Sequence, residues 1–135
     1  MRNLVPLLIV AVASAAAIGA AAPAEESDRR FVQLAEIKVD PEQIASYRTA
    51  LRQEIETSKR LEPGVLALLA VARKDDPSRV TILEVYASPE AYDAHRKSAS
   101  FKSYKAATAR MVKSLTLIPS SPMVLGDVEQ KMGKQ

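Results

Sequence analysis

A chain of 135 residues has room for one hydrophobic core, and its formal charge of +3 is too mild and too interspersed to suggest a nucleic-acid partner. It contains no cysteine, which excludes disulfides, thiolate metal sites and lipid attachment at a lipobox cysteine. The sequence also lacks a glycine-rich phosphate loop, a serine elbow, a dinucleotide fingerprint and a metal-ligand pair on a helix.

Taken in order, the chain opens on Met1-Arg2-Asn3, a short basic start, followed by residues 4–22, which are apolar and free of charge. Both Ala20-Ala21-Ala22 and Ala22-Pro23-Ala24 offer the small-x-small pattern of a cleavage site. This is the layout of a secretory signal peptide over residues 1–24, cut after Ala22 or Ala24. Residues 4–22 are also just long enough to cross a bilayer as a retained anchor, but their second half is mostly alanine and ends in a cleavable pattern. The expectation is a bacterial protein, periplasmic or secreted, with no membrane contact after cleavage. Losing the signal removes one base, Arg2, and no acid, so the mature chain stays mildly basic.

Residues 25–30 read as a polar, flexible leader. Phe31–Val39 reads as a strand: Phe31, Ala35, Ile37 and Val39 face one way, Val32 and Leu34 the other, so both faces are partly apolar. Asp40-Pro41-Glu42-Gln43 signals a helix start, with Asp40 as cap, Pro41 in the first turn and Glu42 at the positive end of the dipole. Ile44, Tyr47, Leu51 and Ile55 recur at helical spacing, while Arg48, Arg52, Glu54 and Lys59 take the other side. The helix should stop near Leu61, because Pro63 disfavours helical geometry at Glu62 and Gly64 permits a turn.

Two apolar runs follow, Val65–Ala72 and residues 80–86, joined by the polar turn Asp75-Asp76-Pro77-Ser78. They predict an antiparallel hairpin. In its second strand Val80, Ile82, Glu84 and Tyr86 share one face, and Thr81, Leu83 and Val85 the other. Ser88 caps a short helix with Pro89 at its first position and Ala91, Tyr92 and His95 on one side. Ser98 or Ser100 starts another, with Phe101, Tyr104, Ala107 and Met111 at three- and four-residue steps. Leu115-Thr116-Leu117-Ile118 fits either the end of that helix or the start of a strand. Met123-Val124-Leu125, after Pro122, is the expected last strand, and residues 126–135 a loose tail.

Strand, helix, two strands, helices, strand is the βαββαβ order of a ferredoxin-like α+β sandwich. Helices cover one face of such a sheet. Strands apolar on both faces need cover on the second face too, and another copy of the chain is its natural source. A homodimer is expected on this ground alone.

Glu62-Pro63-Gly64, the Asp75-Asp76-Pro77 turn, Glu84-Val85-Tyr86, and Ala91-Tyr92-Asp93-Ala94-His95 followed by Ser98 and Phe101 together resemble the antibiotic biosynthesis monooxygenase (ABM) domain. This group includes the quinol monooxygenases. The resemblance spans residues 31–125 and is carried by the ordered set rather than by any one piece. It implies a dimeric α/β barrel whose two sheets pack face to face, with a pocket between sheet and helices in each subunit. It further implies oxidation of a small quinol or polyphenol by dioxygen without metal, flavin or other cofactor, the deprotonated substrate supplying the electrons and the protein a dry pocket and a base. Haem-degrading relatives rely on an Asn, a Trp and a His. This chain has no Trp, and its only Asn is Asn3, which argues against haem chemistry.

His95, the only histidine, is the expected base for a phenolic proton; its plainer reading is a helix histidine that caps or packs. Glu84, a carboxylate in an apolar strand, is the second catalytic candidate, its plainer reading an ion pair with a neighbouring cation. Tyr86, Tyr92, Phe101 and Tyr104 are the candidate lining of an aromatic substrate pocket, or plain core. One histidine among scattered carboxylates offers no metal site. Against the oxygenase stands a non-catalytic dimeric periplasmic module that binds a small ligand or serves a stress response, suggested by the thin set of polar residues. A third reading is a barrel scaffold without a pocket.

Overall fold

A computed structural model describes residues 28–123. The expected signal peptide, the residues Val124 and Leu125 and the expected tail lie outside the described residues. Strand β1 is Phe31–Val39. The Asp40 carboxylate accepts from the Glu42 N–H at 3.1 Å, and a 3-10 turn, Pro41–Gln43, leads into helix α1, Ile44–Leu61. Glu62 turns extended, as a residue before proline should, with its N–H on the Ser58 carbonyl at 2.9 Å. The hairpin is β2, Val65–Ala72, and β3, Arg79–Tyr86. Helices α2, Pro89–Lys97, and α3, Ala99–Thr108, are capped by Ser88 and Ser98, whose hydroxyls accept from the Ala91 and Phe101 N–H groups at 3.1 and 3.2 Å. The last strand among the described residues is β4, Val112–Ser120.

The strands lie in the order β2-β3-β1-β4, each pair antiparallel. This is the ferredoxin-like α+β sheet, with the first strand between the third and fourth. The helix-covered face carries the core: Ala35, Ile37 and Val39 of β1, Val80 and Ile82 of β3, and Tyr47 and Leu51 of α1. On the opposite face Leu69, Leu83, Leu34 and Ile118 stand in register across all four strands. Leu69 there is 58% exposed.

Two expectations need correction. Among the described residues the last strand begins at Val112 rather than at Met123, which lies beyond it, almost wholly exposed. Leu115 and Leu117 pair with Ile37 and Ala35 and so face the helices, while Thr116 and Ile118 alternate to the other side. Pro119 sits in this edge strand, where a missing N–H is tolerated. Second, α3 does not reach Met111: the chain turns after Thr108, and the Met111 carbonyl instead accepts from the Asp40 N–H at 2.7 Å. The expected turn at Gly64 is present, with the Val65 N–H on the Glu62 carbonyl at 3.0 Å, although no glycine among the described residues has positive φ. A Cβ at Gly64 would meet the Ala91 Cβ at 2.6 Å. The glycine lets the start of β2 approach α2, the helix that carries His95. Among the described residues no helix is long and apolar enough to cross a membrane.

Candidate functional site

His95 projects from α2 into the packing between α1 and the sheet and is buried, with 3% of its surface exposed. Its ring lies between those of Tyr86 and Phe101, with centroids 5.2 and 4.9 Å away. Both ring nitrogens meet carboxylates from α1 and its end: Nδ1 is 3.1 Å from Glu62 Oε1, and Nε2 is 3.6 Å from Glu54 Oε1. Ser58, one turn after Glu54, donates its hydroxyl to the same Glu54 oxygen at 2.7 Å. Burial pushes the Glu54 carboxyl above the usual carboxylate range, against the Ser58 hydrogen bond and the nearby imidazole, which pull it down. Glu54 was expected on the solvent side of α1. It is buried with Tyr47, Leu51 and Ser58, because these positions recur at helical spacing on one face.

Glu84 stands opposite Gln33 in the β1–β3 register. Its Oε2 accepts from the Gln33 amide at 2.7 Å and from the Tyr86 hydroxyl at 3.1 Å; its other oxygen has no hydrogen-bond partner among the described residues. Tyr86 is fully buried, and burial, reinforced by the Glu84 carboxylate, drives its phenol far above the ordinary tyrosine range. It therefore serves as a proton-bearing donor at every physiological pH. Tyr104 is raised likewise by burial, and shares a 2.7 Å hydrogen bond with the Tyr47 hydroxyl.

A cavity of about 330 Å³ opens between the sheet and helices α2 and α3. Gln33 and Glu84 supply its polar wall; Ala35, Ile37, Ile82, Leu115 and Leu117 its aliphatic one; Tyr92, His95, Phe101 and Tyr104 its ring-bearing side; Arg96 and Lys105 complete it. This volume is at the lower end of ordinary ligand sites, roughly 300–1,000 Å³. The structure thus brings His95, Glu84, Tyr92, Phe101 and Tyr104 to one cavity. Tyr86 does not line it: the ring stands behind, holding Glu84 and packing on His95. Tyr92 is steadied by Phe31, stacked at 4.3 Å. A second groove of about 430 Å³, between α1 and α3, reaches Glu54 and Glu62 past Ser98, Ser100 and Ser103. It is walled by residues of α1, α3 and their caps, with none from the sheet, so the sheet-side cavity, drawing on β1, β3, β4, α2 and α3, is the candidate site. No group of three or more potential metal ligands occurs among the described residues.

Sequence reasoning did not single out Gln33, Glu62, Arg96, Lys105, Leu115 or Leu117 for the site. Gln33 had a signal, being the one polar residue in the inward row of β1. Arg96 and Lys105 had none, because exposed helix cations look alike in a sequence.

The family model described as antibiotic biosynthesis monooxygenase matches residues 30–107. Among solved structures, a candidate antibiotic biosynthesis monooxygenase from Bacteroides thetaiotaomicron is 48% identical, over 73% of this chain and 93% of that one, with a TM-score of 0.71. A candidate monooxygenase from Lactobacillus acidophilus is 32% identical over 67% of this chain and 43% of its own, with a TM-score of 0.66. A candidate antibiotic biosynthesis monooxygenase from Nitrosomonas europaea, 21% identical, covers 70% of this chain and 99% of its own at a TM-score of 0.66 and shares the fold. No functionally curated protein matches the chain. With the family model spanning more than half of the sequence and a solved relative nearly half identical, the chain belongs to the antibiotic biosynthesis monooxygenase family.

Proposed function

We propose that the protein is a cofactor-independent monooxygenase that oxidises a small quinol or related polyphenol with dioxygen in the cavity between sheet and helices. The observation that carries this reading is Glu84: a carboxylate on the wall of a largely apolar cavity, aimed by two donors and with one oxygen uncommitted. That oxygen accepts the phenolic proton, and the resulting phenolate is electron-rich enough to react with dioxygen. One oxygen atom enters the ring, the other leaves as water, and the substrate supplies all four electrons in becoming a hydroxyquinone. Aliphatic and aromatic walls keep water from the reactive intermediates. His95 contributes the wall beside Glu84, with Nδ1 3.1 Å from Glu62 and Nε2 3.6 Å from Glu54.

Oxygen uptake by the purified protein with a panel of quinols, after metal chelation, tests this. Uptake that survives chelation and falls about 100-fold in Glu84→Gln supports the reading, that being the scale of general-base contributions. No uptake from well-folded protein removes it in favour of a second reading, a ligand-binding module. One feature favours that alternative: the acid–base set on the cavity wall is thin, with Glu84 its one carboxylate and His95 its one imidazole.

Two further parts of the reading concern assembly and location. A second copy covers the open sheet face, supported by the apolar row Leu69, Leu83, Leu34 and Ile118. Sedimentation that shows a dimer for the native chain and a monomer for Leu69→Glu supports it; a native monomer removes it. Residues 1–24 direct export to the periplasm, and a recovered N-terminus at Pro23 or Glu25 in that fraction is the expected result.

A further inference from the structure

The cavity is chemically two-ended. Its inner end is Glu84, half-buried, backed by Gln33 and Tyr86 at 4% and 0% exposure. Its outer end is marked by its two exposed lining cations, Arg96 on α2 and Lys105 on α3. Between them the wall is aliphatic and aromatic. Glu84 is the only acid on the lining, and it already has two hydrogen-bond donors.

Neither cation is committed elsewhere. The nearest carboxylate to Arg96 is Asp93, with a nitrogen–oxygen distance of 3.9 Å and both side chains more than half exposed, a pairing of little strength in water. The guanidinium is instead carried over the ring of Tyr92, 5.6 Å from its centroid, and Tyr92 is itself fixed by its stack on Phe31. This contact holds the head group at the cavity. Lys105 has no carboxylate within ion-pair distance among the described residues. Helix cations of this kind are often just solvated. Here two of them, from different helices, line one largely apolar cavity.

We infer that the cavity takes a phenolic aromatic that also carries a carboxylate, its hydroxyl directed inward to Glu84 and its carboxylate held at the mouth by Arg96 and Lys105. A neutral quinol of the same size fills the apolar middle and leaves both cations without a partner. The carboxylate also fixes which ring hydroxyl reaches Glu84, so the cations orient the substrate as well as retain it. This substrate class rests on the reading of the cavity as the site of phenol oxidation, and its test separates the two.

Binding is measured with two unreactive probes of nearly equal shape, 4-hydroxybenzoate and 4-hydroxybenzamide. The imidazole signal of His95, the only histidine in the chain, reports occupancy of the cavity by NMR. The expected result is binding of the benzoate about tenfold more tightly than the benzamide, the scale of one charge-assisted hydrogen-bonded pair. The preference should shrink to within about twofold in Arg96→Gln/Lys105→Gln, by loss of that same pair. Equal affinities in the native protein, binding of neither probe, or a preference that survives the double variant would overturn the inference. Oxygen uptake with hydroquinone and with 2,5-dihydroxybenzoate runs in parallel. Turnover of hydroquinone without preference for the acid, combined with equal probe affinities, sinks the substrate class and leaves the oxygenase. No turnover of either, with benzoate preference intact, sinks the oxygenase and leaves an anionic-phenol binding site.

Discussion

Three carboxylates surround the candidate site, and they fall into two neighbourhoods that use the same chemical group differently. Glu54 and Glu62, on α1 and at its end, flank the imidazole of His95 and tie α2 to α1 through a polar cluster. Glu84, on β3, is held by neutral donors, Gln33 and Tyr86, and borders open volume. A carboxylate packed against a buried imidazole is spent on holding the fold. One oriented by neutral donors beside a cavity is left for a ligand. The partners, rather than the residue type, set the role.

This contrast is open to being broken. The largest effect is expected from His95→Ala, which empties the space of a buried ring and leaves Glu54 and Glu62 facing each other across a void; truncating a buried ring to alanine costs on the order of 3 kcal/mol or more. Urea unfolding should show that loss, and Glu84→Gln should show little by comparison. Equal destabilisation by the two changes would erase the distinction between a structural and a ligand-facing neighbourhood.

Tyr86→Phe comes next. It removes one of the two donors to Glu84 while keeping the ring against His95, and a lost hydrogen bond to a charged group is worth about 1.5–3 kcal/mol. Substrate turnover should fall more in this variant than the thermal midpoint does. A drop in midpoint with unchanged turnover would mean that the hydroxyl serves packing alone.

The pH dependence sharpens the contrast from the helical side. Burial raises the Glu54 carboxyl above its unfolded value, so the folded state binds its proton more tightly. The stability tied to this group is full below the unfolded carboxylate range and declines as pH rises through the raised value. Melting temperatures from pH 4 to 8 should decline more steeply in the native protein than in Glu54→Gln, and parallel curves would refute the assignment. The smallest effect is expected far from the site, in the β2–β3 turn. There the Ser78 hydroxyl and then Lys38 hold Asp76 at about 2. Its stabilising contribution is present above the ordinary aspartate value and disappears as pH falls toward about 2. In urea unfolding, Asp76→Asn should therefore lower neutral-pH stability slightly, flatten the decline toward acid and leave stability near pH 2 nearly unchanged.

Much of the frame was legible because it is local. Period-two alternation marked β1 and the hairpin, and Asp40-Pro41 and Ser88-Pro89 announced their helices through capping chemistry. The fourth strand was harder. It is an edge strand, exposed over most of its length, so its alternation is shallow, and Pro119 reads as a breaker when it in fact marks an edge. The site was half legible. His95 and Glu84 stood out as an isolated imidazole and an acid in an apolar strand. Their partners did not, because Glu62 lies 33 residues from His95 and Gln33 lies 51 from Glu84. Pairings at that range are set by register and helix packing, which no short window of sequence contains.

The two rims of the sheet carry a last consequence. β2 has a bulge between Val65 and Ala67, and β4 carries Pro119; each interrupts the row of backbone groups on which another strand would dock. Edge-wise addition could repeat without end and build a fibril, whereas association through a flat face is satisfied by one partner and stops. Blunt rims beside an oily face would confine any association of such a chain to the face and stop it at one partner.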